Sequence, residues 1–436
     1  MKKYIIILCC TILTAAYGQK KQAILLLNGY LHIGNGSVIE TAMIGIRNGK
    51  IDFVKNALSC EYNKSEWDTI IDLKDQHVYP SFVAPNSTLG ITEIDAVRAT
   101  RDFQEVGYLN PHIRSQIAFN AESKVISTVR TNGVLFAQVT PRGGRISGTS
   151  SLMALNGWNW EDATLFKDDG VHLNWPESIQ GTWQDDAVTK SKSKNYIQQK
   201  EEIYSFFKLA KAYQKSDAAE KTDLRLNAMM PCLSQEKRIY FHANELQQLN
   251  DIIEFVTYFD IPNPVIVGGY DSYLVARKLK DAKIPVMLGR THSLPDNEDD
   301  PVHLPFQLPA LLQKEGVLFC LQNEGEMEAM NARNLPFQAG TAMAYGLTEE
   351  EAIQSISLNA CKIMGVSENF GSIEPGKSAS LFVSKGNALD MRTNQVSMIL
   401  IDGSFVPTLR EKIPSNKTTL INSLDSEKFL ILNHSK

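Results

Sequence analysis

The sequence predicts an α/β fold, with a (β/α)8 TIM-like barrel and a small β-sandwich domain built from both chain ends. Three observations in the 436-residue chain predict it. Short apolar runs separated by turn residues fill residues 22–73, strand and helix patterns alternate through the middle, and strand patterns return near the end. Alternating strands and helices are typical of a parallel sheet covered by helices, whereas either outer block alone is too thin to form a core.

The outer blocks carry turn signals. Asn28-Gly29 and Asn48-Gly49 each follow an apolar run, and Asn-Gly between two such runs predicts a hairpin turn. Near the other end, Asp402-Gly403 follows a further apolar run. We therefore predict one composite β domain from residues 19–79 and 367–410, followed by a polar tail over 411–436.

The barrel is predicted over residues 80–366. Its strand patterns cover residues 133–139, 238–243, 264–267, 284–288 and 316–321. Its helix patterns cover residues 196–214, 246–259, 273–282 and 348–364, the last beginning with a capping box. The polar stretch 184–200 is predicted to be an exposed insertion between them.

Residues 1–18 are typical of a secretory signal peptide. Lys2 and Lys3 precede an apolar run that is too short to span a bilayer, and a small-x-small pattern ends at Gly18. The alternative is a buried N-terminal helix or strand. We expect cleavage after Gly18 and a periplasmic or secreted chain with no membrane span.

Charge and cysteine content exclude some classes of function. The net charge of −5 is not that of a general nucleic-acid binder. No cysteine pair beyond residue 18 has CxxC spacing, so a zinc knuckle is not indicated. Four cysteines allow three disulfide pairings, and the sequence leaves the choice open.

The stretch from His77 to Gly90 follows the first β block and resembles the hinge of the amidohydrolase superfamily. The family pattern there is Pro-Gly-Leu-Ile-Asp-x-His-x-His-x-Gly. Pro80 and Gly90 match it, but Asn86 and Thr88 stand where the two histidines should be. The stretches 340–348, 357–365 and 371–377 also resemble family segments, with imidazolonepropionase-like amidohydrolases as the nearest subgroup. The resemblance implies a degenerate metal-binding motif.

Further ligand positions can be carried over from the family. His242 ends a predicted strand and matches the strand-5 metal ligand, whereas Gly268 stands at the strand-6 histidine position. Glu324 is the best substitute for the strand-8 aspartate, with Asn323 second. His292 follows another strand and is a second catalytic candidate. The strand-4 ligand could not be placed.

These positions limit the metal that the resemblance implies. Catalytic zinc sites usually have three protein ligands from His, Asp, Glu or Cys. The cofactor is therefore unknown, and we expect at most one divalent metal ion such as zinc, held through His242. Glu324 and His292 would assist catalysis, and His112 and His303 are further candidates.

Substrate contacts are predicted at two places. Asn86 and Thr88 would face the substrate rather than a metal. Arg142 and Arg145 lie among glycines and hydroxyl residues after a strand, and could cradle an anionic group. The alternative is a tight surface turn.

The resemblance implies an exported hydrolase of carbon–nitrogen bonds other than peptide bonds, acting on a small molecule. Two other functions remain open because the usual ligands are replaced. One is a catalytically silent relative that binds a small molecule. The other is a partner subunit of an intact hydrolase, and a homo-oligomer is a further alternative.

Overall fold

The computed structural model describes residues 22–184, 187–215 and 223–408. The predicted signal peptide and the tail at 411–436 lie outside the described residues. Within those residues, no helix is both long and apolar enough to cross a bilayer.

The strands are numbered in chain order. They are β1 (Ile24–His32), β2 (Val38–Arg47), β3 (Lys50–Asn56), β4 (Thr69–Asp72), β5 (His77–Pro80), β6 (Phe82–Ser87), β7 (Val134–Val139), β8 (Ile146–Ala154), β9 (Thr164–Asn174), β10 (Ile179–Gln184), β11 (Ala187–Lys192), β12 (Arg238–Ala243), β13 (Pro264–Gly268), β14 (Val286–Leu288), β15 (Phe319–Leu321), β16 (Leu381–Ser384), β17 (Val396–Ile401) and β18 (Ser404–Phe405).

The α-helices are numbered in the same way. They are α1 (Lys124–Arg130), α2 (Trp160–Ala163), α3 (Tyr196–Lys215), α4 (Leu224–Leu233), α5 (Leu246–Phe259), α6 (Ala276–Asp281), α7 (Leu304–Glu315), α8 (Glu328–Asn331), α9 (Leu335–Ala344), α10 (Glu349–Ser355) and α11 (Leu358–Met364).

Eight strands form a nearly closed barrel in the order β6-β7-β8-β9-β12-β13-β14-β15. The predicted TIM-like barrel is confirmed, with one departure from parallel order. β8 runs antiparallel to both β7 and β9. The chain returns from β7 through the short segment 140–145 without a helix, so the third strand must reverse direction.

Both chain ends share a second sheet, as predicted. Its order is β18-β17-β16-β5-β1-β2-β3, with β4 beside β1. The two ends meet where β16 pairs antiparallel with β5. Ile24 and Leu26 share an apolar cluster with Leu381 and Leu400, which shows that the sheet curls around a core of its own. The exact domain limits stay a prediction.

The predicted hairpin turn at Asn28-Gly29 is wrong. β1 continues through both residues, and the pairing with β2 shifts register there, which marks a β-bulge. Asn28 has a φ of 56°, and its side chain donates to Asp72 Oδ1 at 3.1 Å. The side chain thus holds the left-handed residue within the strand. The turn at Asn48-Gly49 lies between β2 and β3, as predicted.

The predicted helix over residues 348–364 is also corrected. Thr348 and Glu351 do form the capping box, but α10 ends at Ser355 and α11 begins two residues after Ile356. Ser357 has φ and ψ of −131° and −93°, which are not helical angles, and its hydroxyl donates to the Ile353 carbonyl at 2.7 Å. The two shorter helices pack against β15 and its end of the barrel.

Gly133, just before β7, lies where the barrel packs against the second sheet. Its φ is 87°, and a Cβ there would lie 2.3 Å from Phe382 Cζ. Phe382 on β16 is fully buried and packs edge-on against Phe82 of β6, with ring centroids 4.9 Å apart. Only a glycine lets these rings approach the barrel backbone this closely.

Gly133→Ala should therefore lower the free energy of unfolding by about 2–4 kcal/mol, combining backbone strain with overpacking. Urea unfolding followed by circular dichroism measures it. Gly36→Ala is the matched control, since Gly36 also has a positive φ (98°) but no atom lies within 4 Å of its added Cβ. Equal losses in the two variants would contradict the role of Phe382.

Candidate active site at the barrel mouth

The carboxyl ends of the barrel strands meet at one mouth. Asn86 is the next-to-last residue of β6, His242 lies on β12, and Glu324 follows β15. Because these strands run parallel, their carboxyl ends bring the three side chains to the same edge, where barrels carry their chemistry. Asn86 has a φ of 49°, an unusual backbone angle for a non-glycine residue within a strand.

Two cavities at this mouth are lined by predicted site residues from several strands, and a third, about 320 Å³, is lined by Glu324, Arg290 and Asp296 among others. The outer cleft, about 1020 Å³, extends along the loops after β9, β12 and β13. The inner chamber, about 270 Å³, lies against β6 and the segments after β7 and β15. His242 and Glu324 line both the cleft and the chamber. The junction of the cleft and the chamber is therefore the candidate active site.

The hairpin β10–β11 forms one wall of the outer cleft. Lys190 on β11 donates to the Asp296 carbonyl at 2.6 Å and to Asn297 Oδ1 at 2.9 Å. These bonds join the hairpin to the loop after β14, across the cleft. The predicted insertion at 184–200 is thus in part a hairpin strand that shapes the mouth, and α3 begins within it at Tyr196.

Arg142 is bound to Asn86 inside the mouth. Its Nη1 donates to Asn86 Oδ1 at 2.8 Å, and its Nη2 donates to the Asn86 carbonyl at 2.7 Å. Asn86 Nδ2 in turn donates to Gln322 Oε1 at 2.5 Å, which links the edge strands β6 and β15. Burial lowers the pKa of Arg142, while Glu328 and Glu324 oppose that shift.

Thr88 is bound to Glu328 at the start of α8. The Thr88 amide and hydroxyl both donate to Glu328 Oε2, each at 2.8 Å. Glu328 Oε1 is buried and accepts no hydrogen bond from any described residue. Burial raises the pKa of Glu328. The two family histidine positions are therefore occupied by side chains that already have protein partners.

His242 belongs to a buried polar chain that crosses the barrel. His242 Nε2 lies 2.8 Å from His172 Nδ1, and His172 Nε2 lies 2.8 Å from Ser150 Oγ. Ser150 donates to Asp169 Oδ1 at 2.5 Å. His172 is fully buried and stacks on Tyr240, with ring centroids 4.4 Å apart.

This chain determines the tautomers of both histidines. With Asp169 ionised, Ser150 gives its only hydrogen to Asp169 and therefore accepts one from His172 Nε2. His172 Nδ1 is then an acceptor, so His242 Nε2 carries the hydrogen between the rings. His242 Nδ1 is left with a free lone pair. Burial and the Arg142 charge lower the pKa of His242 to about 3, so the ring is neutral.

Asp169 anchors the far end of the chain. It is 1% exposed and accepts from Gln138 Nε2 at 2.7 Å and from Tyr240 Oη at 2.6 Å, besides Ser150. Burial raises the pKa of Asp169, and the three donors oppose that shift. The carboxyl group thus organises the interior below the mouth without reaching either cavity.

Glu324 presents a carboxyl group at the junction. Gln322 Nε2 donates to Glu324 Oε2 at 3.1 Å. The other oxygen, Oε1, packs against Gly289, where an added Cβ would clash with it. Burial, and then the charge of Asp296, raise the pKa of Glu324 to about 7, against the opposing charges of Arg142 and Arg290. A carboxyl group with a pKa near neutrality in a cleft is a candidate general base.

Two predicted site residues lie away from this junction. His292 is exposed, and its Nε2 lies 2.7 Å from Thr341 Oγ1 on α9. Arg145 donates to Tyr108 Oη at 3.0 Å and to the Asn174 carbonyl at 2.6 Å. Neither residue lines the outer cleft or the inner chamber, so the structure brings together Asn86, Thr88, Arg142, His242 and Glu324 only.

The donor set does not suit the two-ion centre that the resemblance implies. Among the described residues, no group of three or more His, Cys, Asp or Glu side chains is placed to hold a metal ion. The Asn86 amide oxygen accepts a hydrogen bond from the Arg142 guanidinium, so it is not free to bind a metal ion. Among the described residues at the junction, the oxygen and nitrogen donors without a hydrogen-bond partner are His242 Nδ1, Glu324 Oε1 and Glu328 Oε1.

Sequence reasoning missed His172, Ser150, Asp169 and Glu328. His172 carried a usable signal, because it interrupts an apolar strand directly before Asn174-Trp175 and so belongs to the fourth barrel strand. The other three gave no signal, since serine, aspartate and glutamate at such positions are common in ordinary loops and strands.

Comparison with known proteins bears on the family. The sequence profile described as "Amidohydrolase family" matches residues 136–406, more than half of the chain. The chain belongs to the amidohydrolase family. No curated protein sequence matches it.

Solved structures agree with the fold. A crystal structure of an amidohydrolase from Thermotoga maritima MSB8 has a TM-score of 0.75 and 23% identity, covering 88% of this chain and 99% of that one. A molinate hydrolase has a TM-score of 0.55 and 14% identity, covering 90% and 96%. An adenosine deaminase from Xanthomonas campestris with bound zinc has a TM-score of 0.54 and 13% identity, covering 94% and 98%. At these identities the likeness shows the fold alone.

Proposed function

We propose that this amidohydrolase-family chain hydrolyses a carbon–nitrogen bond other than a peptide bond, in a small molecule, without the two-metal centre of the family. One observation carries the proposal. Glu324 places a carboxyl group with a pKa of about 7 at the junction of the outer cleft and the inner chamber, beside His242. A base is most effective when its pKa lies near the working pH.

The chemistry needs only groups that the site supplies. Glu324 takes a proton from a water molecule as the water oxygen attacks the carbon of the carbon–nitrogen bond. The positive charge of Arg142 faces the inner chamber and would stabilise negative charge that develops on the substrate oxygen. Glu324 then returns the proton to the leaving nitrogen. The neutral His242 Nδ1 accepts a hydrogen bond from the water or from a substrate N–H group.

A second candidate is a catalytically silent relative that binds a small molecule. The hydrogen bonds that Asn86 and Thr88 already make with protein side chains favour it. A polar pocket that is preformed in this way needs no further ligand to be ordered. Export stays a proposal that rests on residues 1–18, and the mass of the mature chain from its native host would test it.

Metal content and turnover together test the proposal. We expect less than one equivalent of metal per chain by plasma mass spectrometry, and turnover of at least one non-peptide amide, lactam, urea or amidine that chelation does not reduce. The Glu324→Gln protein is the control for contaminating hydrolases. Two tightly held ions per chain, with activity lost on chelation, would contradict the proposal. Ligand binding without any turnover would favour the silent relative.

A further inference from the structure

The outer cleft and the inner chamber share a marked excess of acidic side chains. The outer cleft is lined by five acidic residues and one lysine, namely Glu177, Glu245, Asp271, Asp296, Glu324 and Lys190. The inner chamber adds Asp95 and Glu328, and Arg142 is the only arginine or lysine among its described lining residues. A cleft lined mainly by one sign of charge concentrates ligands of the opposite sign.

No cation of the mouth forms an ion pair with these carboxyl groups among the described residues, although the charges of Lys190, Arg142 and Arg290 partly offset the rise in pKa that burial causes in several of them. Lys190 is bound to neutral oxygens of Asp296 and Asn297 at the rim. Arg142 donates to Asn86 and, at 3.5 Å, to the Thr140 carbonyl, and no ion pair joins it to Glu324 or Glu328 in the part of the chain described. Glu324 and Glu328 therefore make no ion-pair contact with a described cation, although the charge of Arg142 opposes the rise in pKa that burial causes in both.

Glu328 provides the independent sign of a ligand. The residue is 7% exposed and lines the inner chamber, and its Oε1 makes no hydrogen bond of normal geometry with a described residue. The Ser87 hydroxyl is near enough to oppose the rise that burial causes in the pKa of the carboxyl group, but it is not placed well enough to satisfy Oε1. The other oxygen of Glu328 already accepts two hydrogen bonds from Thr88. A buried carboxylate oxygen without a partner is costly unless something donates to it.

We propose that the mouth binds a small molecule with a cationic head group, an ammonium or guanidinium, which donates hydrogen bonds to Glu328 and Glu324 inside the inner chamber. The inference rests on the same site as the proposed hydrolysis and names its substrate class. The head group enters past the junction, and the remainder of the molecule lies in the larger outer cleft. An ammonium or guanidinium brings both the charge and the several hydrogens that two carboxylates accept.

The alternative is an anionic head group bound to Arg142, which the sequence around Arg142 and Arg145 predicts. The geometry disfavours it. Arg142 donates three hydrogen bonds to Asn86 and Thr140. A permanently charged anionic head group in the chamber would lie against the carboxyl groups of Glu324 and Glu328, unlike the partial negative charge that develops only in a transition state. Like charges placed together in a desolvated pocket repel strongly.

Four probes with the same carbon chain separate these outcomes. Butylammonium, butylguanidinium, butyramide and butyrate are titrated into the purified full chain by isothermal calorimetry at neutral pH and two salt concentrations. We expect binding of the two cations, weakened by added salt, and tighter than that of the neutral amide by tenfold or more. Butyrate binding as tightly as the cations, or no cation binding at millimolar concentrations, would overturn the inference.

Variants locate the head group. Glu328→Gln should weaken butylguanidinium binding about tenfold, and Glu324→Gln on its own gives a second reading if Glu328→Gln fails to fold. Glu368→Gln removes the same charge from an exposed residue that lines neither cavity, and should leave binding unchanged. Loss of affinity in all three variants alike would show only a general charge effect and reject the site.

The outcomes separate this inference from the proposed hydrolysis. Cation binding without turnover of any non-peptide amide, lactam, urea or amidine, whether charged or neutral, would reject the hydrolase and keep the binding site. Turnover of neutral or anionic substrates, with no cation binding, would keep the hydrolase and reject the cationic head group.

Discussion

Asp169→Ala should lower the free energy of unfolding by about 3 kcal/mol or more. The substitution leaves three buried donors, on Gln138, Ser150 and Tyr240, without their shared acceptor. Each unsatisfied buried donor costs about 1–3 kcal/mol, partly offset because a buried carboxyl group is also removed. Urea unfolding measures the loss. Asp281→Ala, at an exposed position on α6, is the control and should change stability by less than about 0.5 kcal/mol.

The same substitution should also change what the mouth presents to a ligand. Without Asp169, the Ser150 hydroxyl is free to donate to His172 Nε2 instead of accepting from it. His172 Nδ1 would then carry the hydrogen toward His242, and His242 would carry its own on Nδ1. Nitrogen-15 NMR distinguishes the two tautomers. An unchanged His242 spectrum in a folded Asp169 variant would contradict the assignment of this chain.

The parts of the fold that the sequence predicted depend on local signals. The turn at Asn48-Gly49 and the capping box of Thr348 and Glu351 each need only a few neighbouring residues, and both are confirmed. The bulge at Asn28 has the same two-residue pattern as a hairpin turn. Only the partner strand β2, which pairs on both sides of it, decides between the two. The reversed β8 likewise depends on its pairing with β9.

The site was less predictable because its contacts join distant segments. Strand ends could be matched one by one, and His242, Asn86 and Glu324 do meet at the mouth. No local pattern indicates that Arg142 bonds to Asn86, 56 residues earlier, or that Glu328 accepts from both donors of Thr88, 240 residues away. These pairings change the chemistry, because they occupy positions where the family pattern alone suggests free ligands.

Glu324→Gln should reduce kcat/KM by about 10²–10⁴-fold, the usual contribution of a general base. The amide keeps the size of the side chain and can still bond to Gln322, so the fold should be retained. Steady-state kinetics on the substrate found by turnover screening measures the loss. A substitution at the neighbouring Gln322 would be a poor control, because its bond to Asn86 joins the first and last barrel strands, β6 and β15. Glu368→Gln is the better control, at an exposed position, and should leave kcat/KM unchanged.

The pH dependence separates a base from a residue that is merely structural. A general base must be deprotonated, so kcat/KM should rise as the pH passes through the Glu324 pKa of about 7, and should be flat above it.

The charge of Asp296 raises that pKa and the charge of Arg290 lowers it. Asp296→Asn should therefore move the acidic limb to lower pH, and Arg290→Met should move it to higher pH. Carbon-13 NMR titration of the Glu324 carboxyl group should show the same two opposite shifts without any substrate. If neither substitution moves the midpoint of the acidic limb, the titrating group is not Glu324, and Glu324 is not the general base.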